Sequence, residues 1–329
     1  MPDSPPLLTR AAQQAPASTS AGAARELRAA ARDCLEERDL DVKVSRTAQV
    51  FAAWRRGEIA LDVDASLAEA THPPQPGLPH GLVLADPARV PRRGFGSTAR
   101  RAAFVHAIAH IEWNAINLAW DAVWRFASMP REFYDDWARV AAEEATHFSM
   151  LRERLRDLGS DYGRMSAHAG LWQTAEATTS DVLDRMALVP RVLEARGLDV
   201  TPGLILKLKE HGDDATAAIL EVVLRDEVGH VRTGSRWFHE LCRERGLAPA
   251  PAFCAAISRH FRGRPQPAGD PGAVALRREA GFTDEELEAV AALAGNWPGV
   301  QPAVRQDEPA ARREEPWRPP GGGAGPDGE

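Results

Sequence analysis

The stretch AEEATHFSMLRERL, residues 142–155, carries an acid and an imidazole where an amphipathic helix should carry core residues. At helical spacing Trp137, Val140, Glu144, His147, Leu151, Leu155 and Leu158 fall on one stripe, so Glu144 and His147 point into the protein with the leucines. Glu-x-x-His places a carboxylate and an imidazole one turn apart on the same face, where both can reach one ion.

A single Glu-x-x-His is weak, since about one is expected by chance in a chain of this length. This chain has two, Glu144-Ala-Thr-His147 and Glu227-Val-Gly-His230, and each lies on the apolar stripe of its helix. Two further helical stretches each supply one inward carboxylate, Glu112 and Glu194. Glu144 follows Glu112 by 32 positions, Glu227 follows Glu194 by 33, and the second set trails the first by 82 or 83. That spacing predicts two helix hairpins packed about a pseudo-twofold axis, with four carboxylates and two imidazoles converging.

Six such groups cannot be buried bare, because like charges in a core cost many kcal/mol or force protonation. Two divalent cations resolve the cost. Oxygen-rich ligation with one imidazole per metal suits two iron ions, with manganese or a mixed manganese and iron pair as alternatives. Glu176 is the alternative to Glu194 if the third helix is shifted. Glu143 and Asp226, each just before a Glu-x-x-His, are placed to accept the remaining ring N–H of a ligand histidine across the bundle.

The four long helices are predicted from Ser97 and Thr98 to about Phe126, from Pro130 to Leu158, from Thr178 to Arg196 with Gly197 as terminator, and from Asp213 to Arg245 before Gly246. Shorter helices are expected over 23–38 and 44–56. The Pro- and Gly-punctuated stretch 71–96 reads as an extended arm lying over the domain. Almost nothing alternates with period two, so the class is all-α. The division expected is a disordered tail over 1–21, a helical extension and arm over 22–96, the bundle over 97–262, a C-terminal helical extension over 263–301 and a disordered tail over 302–329.

Composition narrows the classes further. The chain has 329 residues, 44% of them hydrophobic, with a net charge of −7, which suits a globular protein with no global attraction to nucleic acid or anionic membrane. No apolar run is long enough for a bilayer and the N-terminus lacks a signal-peptide core, so a cytoplasmic location is expected. Cys34, Cys242 and Cys254 form no Cys-x-x-Cys pair, which argues against a disulfide framework, a zinc ribbon or a rubredoxin-type centre. The arginines of RVPRRGFGSTARR, residues 89–101, read as a solvated face before a polyanion contact. His106 and His110, at i and i+4, lack a matching acid and read as core or supporting groups. Trp113, Trp120, Trp124, Trp137 and Trp237 read as core, with an electron-conduit role open. The GFG at 94–96 follows no strand and is no phosphate loop.

With this pattern the chain resembles the ferritin-like di-iron carboxylate superfamily, whose members carry Glu, Glu-x-x-His, Glu, Glu-x-x-His on four helices. HAIAHIEWNAINLAWD (106–121), FYDDWARVAAEEATHF (133–148), HAGLWQTA (168–175), LVPRVLEARGLDVTP (188–202) and LRDEVGHVRTGSRWF (224–238) resemble an uncharacterised bacterial ferritin-like family named only as a domain of unknown function. The resemblance spans about residues 40–290, although the tail after about residue 262 matches it poorly and no site is expected there. It implies a ferritin-like four-helix bundle with an N-terminal helical extension, and it supports Glu112 and Glu194 as the lone carboxylates.

The function expected is a di-iron oxygenase or oxidase in which Glu112, Glu144 and His147 hold one ion and Glu194, Glu227 and His230 the other, joined by a bridging glutamate. Glu112, Glu144, Glu194 and Glu227 are then the catalytic carboxylates. O₂ would be used to oxidise or hydroxylate a small-molecule substrate or RNA, with electrons from a separate reductase; the acid before each Glu-x-x-His and the long arm are more like the oxygen-activating branch, including its tRNA hydroxylases. The rival expectation is a ferroxidase, metal store or peroxide scavenger without organic substrate, and a third is a structural bundle that binds no redox metal. No membrane partner is expected and a homodimer is admitted.

Overall fold

The computed structural model describes residues 26–61, 74–85 and 93–297. The predicted tails, and the parts of the arm and of the arginine-rich segment over 62–73 and 86–92, lie outside the described residues. All regular structure within them is helical, and the only extended pairings are two isolated bridges, Glu26 with Ala60 and Leu84 with Ala167.

The chain opens with α1 (Leu27–Glu36) and α2 (Leu40–Arg55), close to the two expected short helices. Glu26 and Asp39 cap them by accepting backbone N–H groups of the first turn. Residues 74–85 then cross α1 without forming a helix. Gly77 N–H donates to Leu35 O at 2.8 Å. A Cβ on Gly77 would fall 1.8 Å from Glu37 O, so only glycine permits this crossing.

The four long elements follow. α3 (Thr98–Arg125) starts behind the Ser97 cap, α4 (Arg131–Asp157) starts behind Pro130, and α8 (Asp214–Glu244) starts behind Asp213, whose side chain accepts from Thr216 N–H. These boundaries match the sequence expectation to within one or two residues. Helix α3 lies along α4, α7 (Ala195–Glu210) lies along α8, and the two pairs meet where α4 packs on α8. Their apolar stripes merge into one core that reaches from Leu27 to Val290.

The third element corrects the sequence reading. In place of one helix over 178–196 there are α5 (Gly170–Ala177), α6 (Val182–Leu188), a π-helical segment (Val189–Glu194) and then α7. Pro190 has no N–H to continue the α ladder, and the wider π turn absorbs the missing bond. Gly197 does not end the helix, which continues through Pro202 to Glu210.

After α8 come α9 (Pro249–His260), α10 (Pro271–Glu279) and α11 (Asp284–Gly295), the last with a Thr283 and Glu286 capping box. They pack back on the bundle: α9 on α6 and α8, α10 on α7, and α11 on α9. Two fully buried ion pairs sequence periodicity does not disclose fasten these layers. Arg185 of α6 holds Asp121 of α3, and Arg191 of the π segment holds Glu286 of α11 at 2.7 Å. No described helix is long and apolar enough to cross a membrane.

Candidate metal centre

Helices α3, α4, the π segment and α8 each direct an acid inward. Glu112 is 2% exposed, Glu144 and His230 0%, His147 1% and Glu227 8%. In two places the ligand atoms lie within 4.8 Å of one another: Glu112 with Glu144 and His147, and Glu144 with Glu227 and His230. Glu144 belongs to both groups. Its Oε2 lies 3.2 Å from His147 Nδ1 and its Oε1 3.0 Å from His230 Nδ1, which puts it between the two imidazoles.

Each imidazole turns Nδ1 inward and Nε2 outward. His147 Nε2 donates to Asp226 Oδ2 at 3.1 Å, and His230 Nε2 donates to Glu143 Oε2 at 2.8 Å. The two bonds cross between α4 and α8 in opposite directions. Each carboxylate partner stands directly before the other helix's Glu-x-x-His, so the doublets Glu143-Glu144 and Asp226-Glu227 each serve one inward and one outward role. With one proton fixed on Nε2, Nδ1 is the nitrogen that faces the acids and the one that would release its proton to ligate a metal. Asp226 and Glu143 are themselves paired with Arg225 and Arg139.

The electrostatics show how uncomfortable this cluster is alone. Burial and then the charge of Glu144 push Glu112 and Glu227 above the carboxylate range, and burial with the charges of Glu227 and Glu144 does the same to Glu194. Burial opposes ionisation of Glu144 too, but the two imidazoles outweigh it and hold its carboxyl well below the usual range. Burial also opposes charging His147, yet Glu112 and Glu144 raise it to about 11. His230 is driven upward in the same way by Glu144 and Glu143. Protons here do the work of cations.

Five inward atoms are buried without a hydrogen-bond partner: Glu112 Oε2, Glu144 Oε1, Glu194 Oε2, Glu227 Oε2 and His230 Nδ1. Glu144 Oε1 and His230 Nδ1 are close but not aligned to bond. Orphaned buried oxygens and an orphaned imidazole nitrogen converging on one place are what a hard or borderline divalent cation satisfies, so the residues present fit a carboxylate-bridged metal pair. Glu194 stands at the rim of the set. It is half-buried and outside both close groups, though the fields of Glu227 and Glu144 reach it. Glu176, its alternative, is exposed and accepts from Trp172 Nε1 at 3.1 Å, which leaves Glu194 as the fourth inward acid.

The other candidates fall elsewhere. His110 bonds Tyr162 Oη and His168 O, and His106 Nε2 accepts from Gly163 N–H, so both anchor the 158–169 loop to α3. The five tryptophans are buried, with Trp237 Nε1 donating to Asp136 at 2.9 Å. The three cysteines are free thiols. Sequence periodicity gives no sign of Tyr162 or Asp121, because an isolated buried polar residue has no periodic partner to betray it.

A relative from Haemophilus influenzae (strain ATCC 51907 / DSM 11121 / KW20 / Rd), described as an uncharacterized protein, is 46% identical over 221 residues, 64% of this chain and 74% of its own length. No solved structure matches the chain. The family model described as "Protein of unknown function (DUF455)" matches residues 36–288. The match runs through α10 into α11, close to the span of about residues 40–290 expected for the family resemblance. It takes in all six inward groups and both outward carboxylates, and the chain belongs to the DUF455 family.

Proposed function

We propose that this protein is a di-iron carboxylate oxidase or oxygenase built on a ferritin-like four-helix bundle. The observation that carries the reading is Glu144 standing between two inward imidazole nitrogens, each fixed from behind by a carboxylate of the opposite helix. Glu112, Glu144 and His147 would hold one ion, and Glu194, Glu227 and His230 the other, with Glu144 bridging. A reduced iron pair supplies the electrons and open coordination that turn O₂ into an oxidant.

The chain's own residues set the conditions for that chemistry. Asp226 and Glu143 hold the imidazole protons on Nε2 and orient the rings. The tryptophan-rich core excludes bulk water, which strengthens every charge interaction inside it. Electrons would come from a separate reductase, and the organic substrate would be a small molecule or RNA.

A second reading, a ferroxidase, metal store or peroxide scavenger without organic substrate, draws support from one observation. Neither the cavity beside Arg93 and His168 nor the one between α7 and α9 is lined by any of the six inward groups. Oxygen consumption after anaerobic loading with ferrous iron separates the two. The first reading expects a substrate from a panel of small molecules and RNA to accelerate turnover, with Glu144→Gln abolishing it. Iron mineralisation by a large oligomer, with no compound accelerating O₂ use, would replace it with the second.

A further inference from the structure

We propose that Tyr162 and His110 form a redox-active pair, in which the phenol gives up one electron and passes its proton to the imidazole. Both side chains are buried, and Tyr162 Oη lies 2.7 Å from His110 Nδ1. His110 Nε2 lies 3.0 Å from His168 O. A carbonyl oxygen can only accept, so the imidazole proton sits on Nε2 and Nδ1 accepts from the phenol. Asn114 Nδ2 stands 3.1 Å from the same Nε2 and donates to His110 O at 2.7 Å. A base within hydrogen-bond reach of the proton is the geometric condition for its removal, and this pair meets it.

Burial makes the electron and the proton leave together. It drives the Tyr162 phenol well above its usual range, so the phenolate does not form beforehand, and an oxidised phenol that kept its proton would be a bare charge in the core. With the proton moved to Nδ1 the tyrosine is a neutral radical, and the charge rests on an imidazolium whose Nε2–H already has the His168 carbonyl. The chain has two tyrosines, and the other lacks a base: Tyr134 Oη donates to Phe126 O at 2.9 Å, a carbonyl that takes a hydrogen bond but not a proton. Trp113 Nε1 is held in the same way by Gly77 O at 3.0 Å.

The position of the pair gives it a use. The Tyr162 ring centre lies 5.1 Å from that of Phe148 and 5.8 Å from that of Trp113, and those two lie 5.0 Å from each other. Phe148 follows His147 and Trp113 follows Glu112, so one aromatic layer separates Tyr162 from the first group of inward ligands. On the other side His110 and His168 line the cavity beside Arg93. The pair thus stands between the buried centre and the surface. It deepens the function proposed above and rests on that reading for its oxidant. The tyrosine electron goes to the oxidised metal pair, and an electron from the reductase restores the phenol as the proton returns from Nδ1.

The test is electron paramagnetic resonance on the full chain, stripped of metal by a chelator and grown with ring-deuterated tyrosine. Light with tris(bipyridyl)ruthenium and persulfate supplies the one-electron oxidant, so the pair is tested whether or not the inward groups hold metal. A tyrosyl signal, narrowed by the ring deuterons, should form in the parent and in Tyr134→Phe and be lost in Tyr162→Phe. It should also be lost in His110→Asn, whose amide oxygen keeps a hydrogen-bond acceptor near Nδ1 but takes no proton. All three variants should melt like the parent. No tyrosyl signal in the parent, its loss with Tyr134→Phe, or a signal of parent size in folded His110→Asn would overturn the pair. Failure of the centre to bind iron would contradict the function proposed above and leave this result standing.

Discussion

Gly234 of α8 lies against the ring of Pro190, so closely that a Cβ on Gly234 would meet Pro190 Cγ at 2.2 Å. One partner opens the π turn that carries Glu194, and the other belongs to the helix that carries Glu227 and His230. The contact fixes the spacing between two of the inward elements. Gly234→Ala should therefore cost about 1–3 kcal/mol by overpacking, seen as a lower melting temperature, and should weaken metal binding as well. A melt and a metal titration identical to the parent would show that the π segment yields freely.

The crossed bonds from His147 to Asp226 and from His230 to Glu143 give a second prediction. Asp226→Asn or Glu143→Gln removes the charged acceptor that fixes the ring tautomer without touching an inward atom. Each should weaken ferrous-iron affinity by about 10–100-fold in an anaerobic titration while leaving the fold intact. Unchanged affinity in both would reduce these acids to surface ion pairs.

The pair of Arg191 and Glu286 predicts a stability effect remote from the centre. Burial opposes ionisation of Glu286, but His239 and Arg191 hold its pKa down at about 2. Its stabilising contribution is complete above the ordinary carboxylate value of 4.5 and is lost as pH falls from there toward 2. Glu286→Gln leaves Arg191 charged and alone among three phenylalanines, which should cost about 3–5 kcal/mol at neutral pH. Denaturant unfolding of the variant at pH 7 and at pH 3 checks both size and sign, because the difference from the parent should shrink in acid.

Lys43 titrates with the opposite consequence. It is fully buried, its Nζ donates to Leu35 O and to Asn117, and it lies 4.5 Å from the centre of the Trp113 ring. Burial lowers its pKa from 10.5 to about 7. Between those values the unfolded chain binds the extra proton, so this group makes the fold more stable as pH rises from 7 toward 10.5. The stability of the parent relative to Lys43→Met should climb across that window. A flat difference would show that Lys43 stays charged in the fold.

Much of the bundle is legible in the sequence because α3, α4 and α8 each combine a capping residue with a long apolar stripe. The inward acids and imidazoles stand out because they interrupt that stripe at matched spacing. The outward roles of Asp226 and Glu143 follow from the same periodicity, since the neighbour of an inward residue points toward the adjoining helix. The π turn at Pro190 is where periodicity misleads, because one widened turn shifts the register and lets the helix run on past Gly197. The buried pairs of Asp121 with Arg185 and Arg191 with Glu286 join residues 64 and 95 positions apart, and no local pattern reports such contacts.

The central claim is that Glu144 bridges two metal ions. Elemental analysis of protein purified without added metal, beside an optical spectrum of the oxidised form, tests it most directly. The account predicts about two irons per chain with oxo-to-iron absorption in the parent, and loss of both ions in Glu144→Ala. Absence of any redox metal from the parent, even after anaerobic reconstitution with ferrous iron, would contradict it.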